Sequence, residues 1–494
     1  MSRFIDRGRW KWAAGGVLLI AAVGMPAGSG ASNGTETYDV VIANGRVMDP
    51  ESGLDAVRNL GIAGGKIRVI SRGTLNGKQT FDAKGLVVAP GFIDLHQHGQ
   101  EPRNYEFKAH DGVTTSLELE VGTDDVDRWY AEREGKTLIN FGVSIGHIPV
   151  RMKVMHDPGT FLPSGEAAHR AAAPEELRQI QEQIGRGLRR GALAVGMGIN
   201  YTAAASHGEI VDVFRLAAEG NAPVHVHLRH AGTQEPTTGL VGIEEVIAAA
   251  AATGAPLHVV HITSMGLGDT PRLIAMVEGA RKQGLDVTTE CYPYTAGSTN
   301  LESAIFDPGW QERQGITYKD IQWVKTGERL TAETFEKYRK EGGSVVVFSI
   351  PEDAVRTAVA NPIVMIASDG SRITGPKIHP RGQATFSRVL GHYAREEKVL
   401  DLMTALKKMT LMPAQRLEKR APMFKDKGRI RVGADADITV FDPARVIDKA
   451  TYDEPLQYSE GIQFVLVNGV PVVKDGQLVG GVFPGRAARA PVSQ

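Results

Sequence analysis

Between Gly112 and Gly370 short apolar runs alternate with longer amphipathic stretches, and this alternation limits the chain to folds built from strand–helix units. The runs are "GVTTSLELEVG", "LINFGVSIGH", "GALAVGMGINY", "PVHVHLRH", "LHVVHITS", "DVTTECYPY" and "IVMIASDG". Between them, "EELRQIQEQIGRGLRRG", "GEIVDVFRLAAEG" and "TPRLIAMVEGARKQG" have helical spacing and end near glycine. Eight strands each followed by a helix make a (β/α)8, or TIM, barrel, whose functional groups gather at the C-terminal ends of the strands. Periodicity alone leaves a doubly wound sheet open.

The flanks read differently. "YDVVIANGRVMDPESG", "NLGIAGGKIRVIS" and "FDAKGLVVAPGFIDLH" alternate over a few residues and break at Asn-Gly, Gly-Gly and Pro-containing turns, as do "GRIRVGADADITVFD" and "FVLVNGVPVVKDGQLVGG" near the other end. Both ends are expected to join in one small β-sandwich domain over 36–90 and 425–488, leaving 91–424 for the barrel. Residues 299–360, rich in aromatics, read as an insertion ahead of the last barrel strand, a lid. At the start, basic "MSRFIDRGRWKW", apolar "AAGGVLLIAAVGM" and small "PAGSGASNG" read as a signal peptide over 1–31. The apolar run is shorter than the ~20 residues a membrane-spanning helix needs. A periplasmic or secreted protein without a stable membrane anchor after cleavage is expected. Fifty-six basic against 57 acidic residues leave no global field for nucleic acid or an acidic membrane, and the single cysteine, Cys291, excludes an intramolecular disulfide.

In "GFIDLHQHGQ", His96 and His98 stand two residues apart, so a strand sends both to one face. An HxH pair alone is weak evidence for a metal. Other strand ends add Glu118 and Glu120, His225 and His227, His261 and Asp369. His225 and His258 read as wall or supporting residues, and Glu118 as a candidate that a solvated carboxylate would also explain. Imidazole and carboxylate donors suit zinc, with nickel, cobalt or manganese as alternatives. Such a centre generates hydroxide at neutral pH, with Asp369 as the natural proton shuttle. No glycine-rich phosphate loop followed by Lys-Ser/Thr is present.

At this point the chain resembles the amidohydrolase superfamily, and within it the N-acyl-D-amino-acid deacylases, or D-aminoacylases. "VAPGFIDLHQH", "GVTT" and "IGHIPVRMKVM" are similar to that superfamily's first three strand motifs; "YPYTAGST", "IASDGS", "HPRGQATFSRVLGHY" and "PGRAAR" are similar to deacylase stretches. The resemblance implies a metal site of His96, His98, His227 and His261, with Asp369 as catalytic acid/base and possible ligand. It also implies that Tyr292 and Ser298 meet the substrate carboxylate, with His379 and Arg381 in a loop near the site. Two positions depart. Where deacylases commonly carry a cysteine ligand, this chain reads "LELEVGT", so Glu120, or failing that Glu118, is expected to replace it and to bridge one or two zinc ions. Where deacylases use a lysine, Thr263 stands, leaving Arg229, Arg372, Lys377 or Arg381 to supply positive charge.

The function implied is hydrolysis of a linear amide in a small-molecule substrate, an N-acyl (D-)amino acid or a dipeptide. A cyclic-amide hydrolase of the hydantoinase or dihydroorotase kind is the alternative, and no lysine at "ALAVGMGINY" provides that kind's carboxylated bridge. A catalytically inactive barrel acting as a binding or structural protein is the alternative of another class.

Overall fold

The structure, a computed structural model, describes residues 37–493; the expected signal peptide lies outside the described residues. Eight strands form the barrel wall in chain order: Phe92–Asp94, Val113–Thr123, Asn140–Gly146, Val195–Gly198, Val224–His227, Leu257–Val259, Val287–Cys291 and Val364–Ile366. Each neighbouring pair is parallel. The seam between last and first strands closes at a parallel bridge from Gln97 to Gly370, where the His98 N–H donates to the Gly370 carbonyl at 2.8 Å.

Strands covered on both faces must be apolar throughout, which is why the runs read as near-continuous stretches of Val, Ile and Leu. The helices outside present narrow apolar stripes to them. In Pro174–Arg189, Ile180, Ile184 and Leu188 recur at i, i+4 and are buried, while Glu176 reaches back to the Ala173 N–H and starts the helix. Gly239–Thr253 stops at Gly254, whose φ of 76° a side chain would disfavour.

The two chain ends meet in a nine-stranded sheet, joined where Val87–Pro90 pairs antiparallel with Ile438–Phe441. Thr37–Asp49 changes partner at an irregularity between Ile42 and Gly45, pairing with Asn76–Asp82 before it and with Val87–Pro90 after it. The sheet thereby folds over an aliphatic core, and Phe81 stacks on Phe464 at 5.0 Å. Asn468-Gly469 and Asp475-Gly476 link the last three strands with positive φ at all four positions, as two-residue hairpin turns require. The segment after the last strand leaves this sheet: the Ala488 N–H donates to Phe141 O of the third barrel strand at 2.7 Å.

At the expected 299–360 insertion, the strands Gly297–Asn300, which begins two residues earlier, Ile321–Trp323 and Ser344–Val347 form a separate antiparallel sheet. Phe306, Trp310, Trp323, Phe335 and Tyr338 pack beside it as its own aromatic core. The following helix Glu352–Ala360 buries Val355, Ala358 and Val359 in the barrel core, so it belongs to the barrel.

Candidate metal centre

Asp94 sets the seam. Its Oδ1 accepts from the backbone N–H groups of His96 (3.2 Å) and Ser368 (3.0 Å), its Oδ2 accepts from the Ser368 hydroxyl (2.5 Å), and the Lys108 ammonium lies 2.8 Å away. The first and last strands are thus tied together with His96 and His98 facing Asp369. Asp369 and His261 hold φ of 52° and 30°, left-handed conformations uncommon outside glycine.

The second strand reaches the same point by a bulge. Its pairing with the third strand steps from Glu118–Val143 to Thr123–Ile145, leaving the intervening residues out of register. Glu118 Oε1 accepts from the N–H groups of Val121 (3.1 Å) and Gly122 (3.2 Å) and holds the bulge shut. The bulge leans over Gly196 of the fourth strand, where a Cβ would come within 2.2 Å of the Glu120 carbonyl oxygen. Glu120 is projected into the mouth of the barrel as a result.

There Glu120 stands between two sets of imidazoles. Oε2 lies 2.9 Å from His96 Nε2 and 3.2 Å from His98 Nε2; Oε1 lies 2.9 Å from His227 Nδ1 and 3.8 Å from His261 Nε2. Asp369 Oδ1 adds contacts of 3.4 and 3.2 Å to His96 and His98, and Oδ2 lies 4.0 Å from His261. Two groups have donor atoms within 4.8 Å of one another: His96, His98, Glu120 and Asp369, and Glu120, His227 and His261. Glu118 belongs to neither; its Oε2 holds His98 Nδ1 at 2.8 Å.

Charges at this depth are tolerable only in pairs. Burial opposes ionisation of Glu120, but His227, His261, His96 and His98 hold its carboxyl well below the usual range. Burial also opposes charging of His96, yet Asp369, Glu120 and Glu290 push it up to about 10. Burial, with His261 alongside it, outweighs Glu120 at His227, which is lowered, and its Nε2 is buried without a partner. Against the burial that would raise it, Asp369 is driven down by Arg381, His96 and His98. Protons on His96 and His98 balance these carboxylates, and a divalent cation held by the same nitrogen and oxygen donors would supply the same balance.

Of the residues expected at the substrate carboxylate, Tyr292 and Ser298 line the cavity of about 1170 Å³ over the centre, as does Arg381. Arg381 Nη1 is 2.7 Å from Asp369 Oδ2, its Nη2 donates to the Ser298 carbonyl at 3.2 Å, and its guanidinium lies 4.6 Å from the centre of the Tyr292 ring. The Ser298 hydroxyl itself is spent on Val345 O (2.8 Å). His379 sits behind, bonded to Ala296 O (2.7 Å) and receiving the Arg381 N–H (3.1 Å). Arg229 and Arg372 also line the cavity but are paired with Glu245 and Glu101, and Lys377 donates to the Asp453 carbonyl. Thr263 is fully buried with its hydroxyl unpartnered. The insertion roofs the cavity through Thr299, Ile305 and Arg313. Sequence reasoning missed Glu290, whose Oε1 is 2.7 Å from His96 Nδ1; a lone carboxylate in the otherwise uncharged run "VTTEC" was the available signal.

A parallel barrel with imidazoles and carboxylates converging at its strand ends defines a metal-dependent hydrolase, and the chain belongs to the amidohydrolase family, whose model matches residues 149–473. Within that family it is D-aminoacylase-like. An N-acyl-D-glutamate deacylase of Alcaligenes xylosoxydans xylosoxydans is 30% identical over 483 residues, covering 88% of this chain and 94% of that protein. The crystal structure of an N-acyl-D-glutamate deacylase from Bordetella bronchiseptica, complexed with zinc and a phosphonate mimic of the tetrahedral intermediate, superposes with a TM-score of 0.78. It is 28% identical, with 92% of this chain and 100% of that one covered. A D-aminoacylase structure concerned with a binuclear metal centre, one-metal activation and second-metal attenuation, has a TM-score of 0.78 at 26% identity, with 92% and 100% covered.

Proposed function

We propose that this chain hydrolyses the linear amide of an N-acyl-D-amino acid, with His96, His98, Glu120, His227, His261 and Asp369 holding one or two zinc ions. The observation that carries the reading is the position of Glu120, one carboxylate oxygen toward His96 and His98 and the other toward His227 and His261. When bound, zinc in such a donor set supplies Lewis acidity toward a carbonyl and toward water.

The chain's own groups do the rest. Arg381 keeps a buried Nε–H without a partner, and with Tyr292 beneath it provides the anchor for a substrate carboxylate. The amide nitrogen of an N-acyl amino acid is borne by the same Cα as its carboxylate, and Asp369 lies beside the anchor, 2.7 Å from Arg381 Nη1. Asp369, held ionised, accepts a proton from the attacking water and delivers it to the departing nitrogen as the tetrahedral intermediate collapses. The insertion covers part of the cavity through Thr299, Ile305 and Arg313. Gly196 and Gly198 at the fourth strand end, where a carboxylated lysine would have to stand, weigh against a cyclic-amide hydrolase. Export to the periplasm or beyond is supported by the basic, apolar and small-residue order of the first 31 residues.

The test couples elemental analysis with detection of released amine across N-acyl-D-amino acids, N-acyl-L-amino acids, dipeptides and hydantoins. Release from the N-acyl-D series by zinc-loaded protein is expected. No bound metal and no release after zinc supplementation overturns the reading; release from hydantoins alone turns it to the cyclic alternative. Fractionation of the source cell, with the mature N-terminus sequenced, tests export.

A further inference from the structure

Beneath His96 the barrel interior carries a second polar layer that the hydrolytic reading leaves unused. Side chains two residues apart on a strand share a face, so Thr288 lies below Glu290 and His225 below His227. Glu290 is 1% exposed, with Oε1 2.7 Å from His96 Nδ1 and Oε2 3.0 Å from His258 Nε2. His258 Nδ1 in turn meets the Thr288 hydroxyl at 2.7 Å. The His225 ring packs on His258 with centroids 4.4 Å apart and closes the layer from the side. Among the described residues, the Glu290 carboxylate hydrogen-bonds to these two rings alone.

An ionised carboxylate only accepts, so both ring nitrogens facing it carry hydrogen. With Nδ1 protonated, a neutral His96 has its lone pair on Nε2, the atom facing Glu120 and Asp369. We propose that Glu290, anchored by His258, is a positioning residue for His96: it fixes the tautomer and the ring angle that turn Nε2 toward the ion. The proposal rests on the metal-dependent reading of the site. Glu118 does the same for His98 but also holds the bulge shut, so Glu290 is the cleaner case. Partners of this kind orient a ligating imidazole and raise its basicity, and their loss weakens metal binding without removing a ligand.

Full-length protein is stripped with a chelator and titrated with zinc against a chromophoric competitor, and the metal-free thermal midpoint is measured alongside. Glu290→Gln is expected to weaken zinc binding about 10–100-fold with a metal-free midpoint near the parent's. A carboxamide offers one acceptor instead of two and releases His96 to its other tautomer. His258→Gln still donates to Glu290 and is expected to keep most of the affinity, whereas His258→Leu removes the donor and reproduces the loss. Parental zinc affinity in Glu290→Gln overturns the proposal, as do equal losses in the two His258 variants. Should Glu290→Gln not fold, the His258 pair decides. A parent that binds no zinc overturns the metal-dependent reading and this proposal with it; a zinc-binding parent with unaffected variants overturns the proposal alone.

Discussion

The small β-domain and the mouth of the barrel are equally well shielded from water and spend that shielding in opposite ways. In the β-domain, Ile42, Leu60, Ile438 and Leu466 are fully buried among other aliphatic side chains, so each contributes by the area it removes from solvent. At the mouth, His96, Glu118, Glu120, Glu290 and Asp369 are buried too, but each is polar and each is tolerable because another completes its bonding. Area-driven packing is close to additive, whereas a network of paired charges behaves as a unit. Damage to the first should therefore cost stability in proportion to area and spare the site, whereas damage to the second should cost function together with the bonding of every partner left behind.

The sharpest division comes from Asp369→Asn. The amide keeps the shape and can still accept from His98, so metal content stays near the parent's, while the unfolding midpoint falls because Arg381 loses its buried counter-charge. Turnover falls by about 10²–10⁴-fold, as loss of a positioned acid/base does. Steady-state kinetics with elemental analysis measures both, and near-parental turnover removes Asp369 from proton transfer. On the other side, Leu60→Ala should cost about 2–5 kcal/mol of stability in denaturant unfolding while the folded fraction keeps its zinc. Loss of zinc at unchanged stability would erase the contrast between the regions.

Within the mouth, Glu120→Ala should lower bound metal most, because it strips both imidazole sets of their shared carboxylate. Glu118→Ala should lower affinity by about 10–100-fold through a loosened His98; a larger loss from Glu118 than from Glu120 would exchange their roles. The smallest effect is in pH. Against its burial, Asp369, Glu120 and Glu290 push His96 in the metal-free protein up to about 10 from its ordinary value of 6.5. Its contribution to stability is fully present below pH 6.5 and is lost as pH rises through 10. Zinc must displace that proton, so binding calorimetry at pH 8 in buffers of different ionisation enthalpy should register proton release. A buffer-independent heat would contradict it.

Much of this was legible in the chain. Strand runs with polar ends pointed to a barrel, and His96, His98, His227, His261 and Asp369 stand together where the strand ends converge. Alternation cannot show a bulge, because a bulge changes pairing and leaves residue types as they were; hence residue types alone do not separate Glu118, whose oxygen faces His98 Nδ1, from Glu120, which stands between the two imidazole sets. Glu290 escaped because one carboxylate in a buried strand has no spacing partner in the sequence; its partners, His96 and His258, come from two other strands. The end of the insertion escaped because the amphipathic period of "EDAVRTAVA" is the same whether the helix covers a lid or a barrel.

The Asp94 tie at the seam has a further meaning in terms of assembly. His96 and Asp369 are separated by nearly the whole barrel in sequence and become neighbours only when the last strand docks on the first. A cation bound between them closes a very long loop, and a ligand that binds only the closed form stabilises it by mass action. An ion held by both residues would act as a rivet across the seam, with the completed ring a condition for holding it and the ion a guard against the ring's reopening.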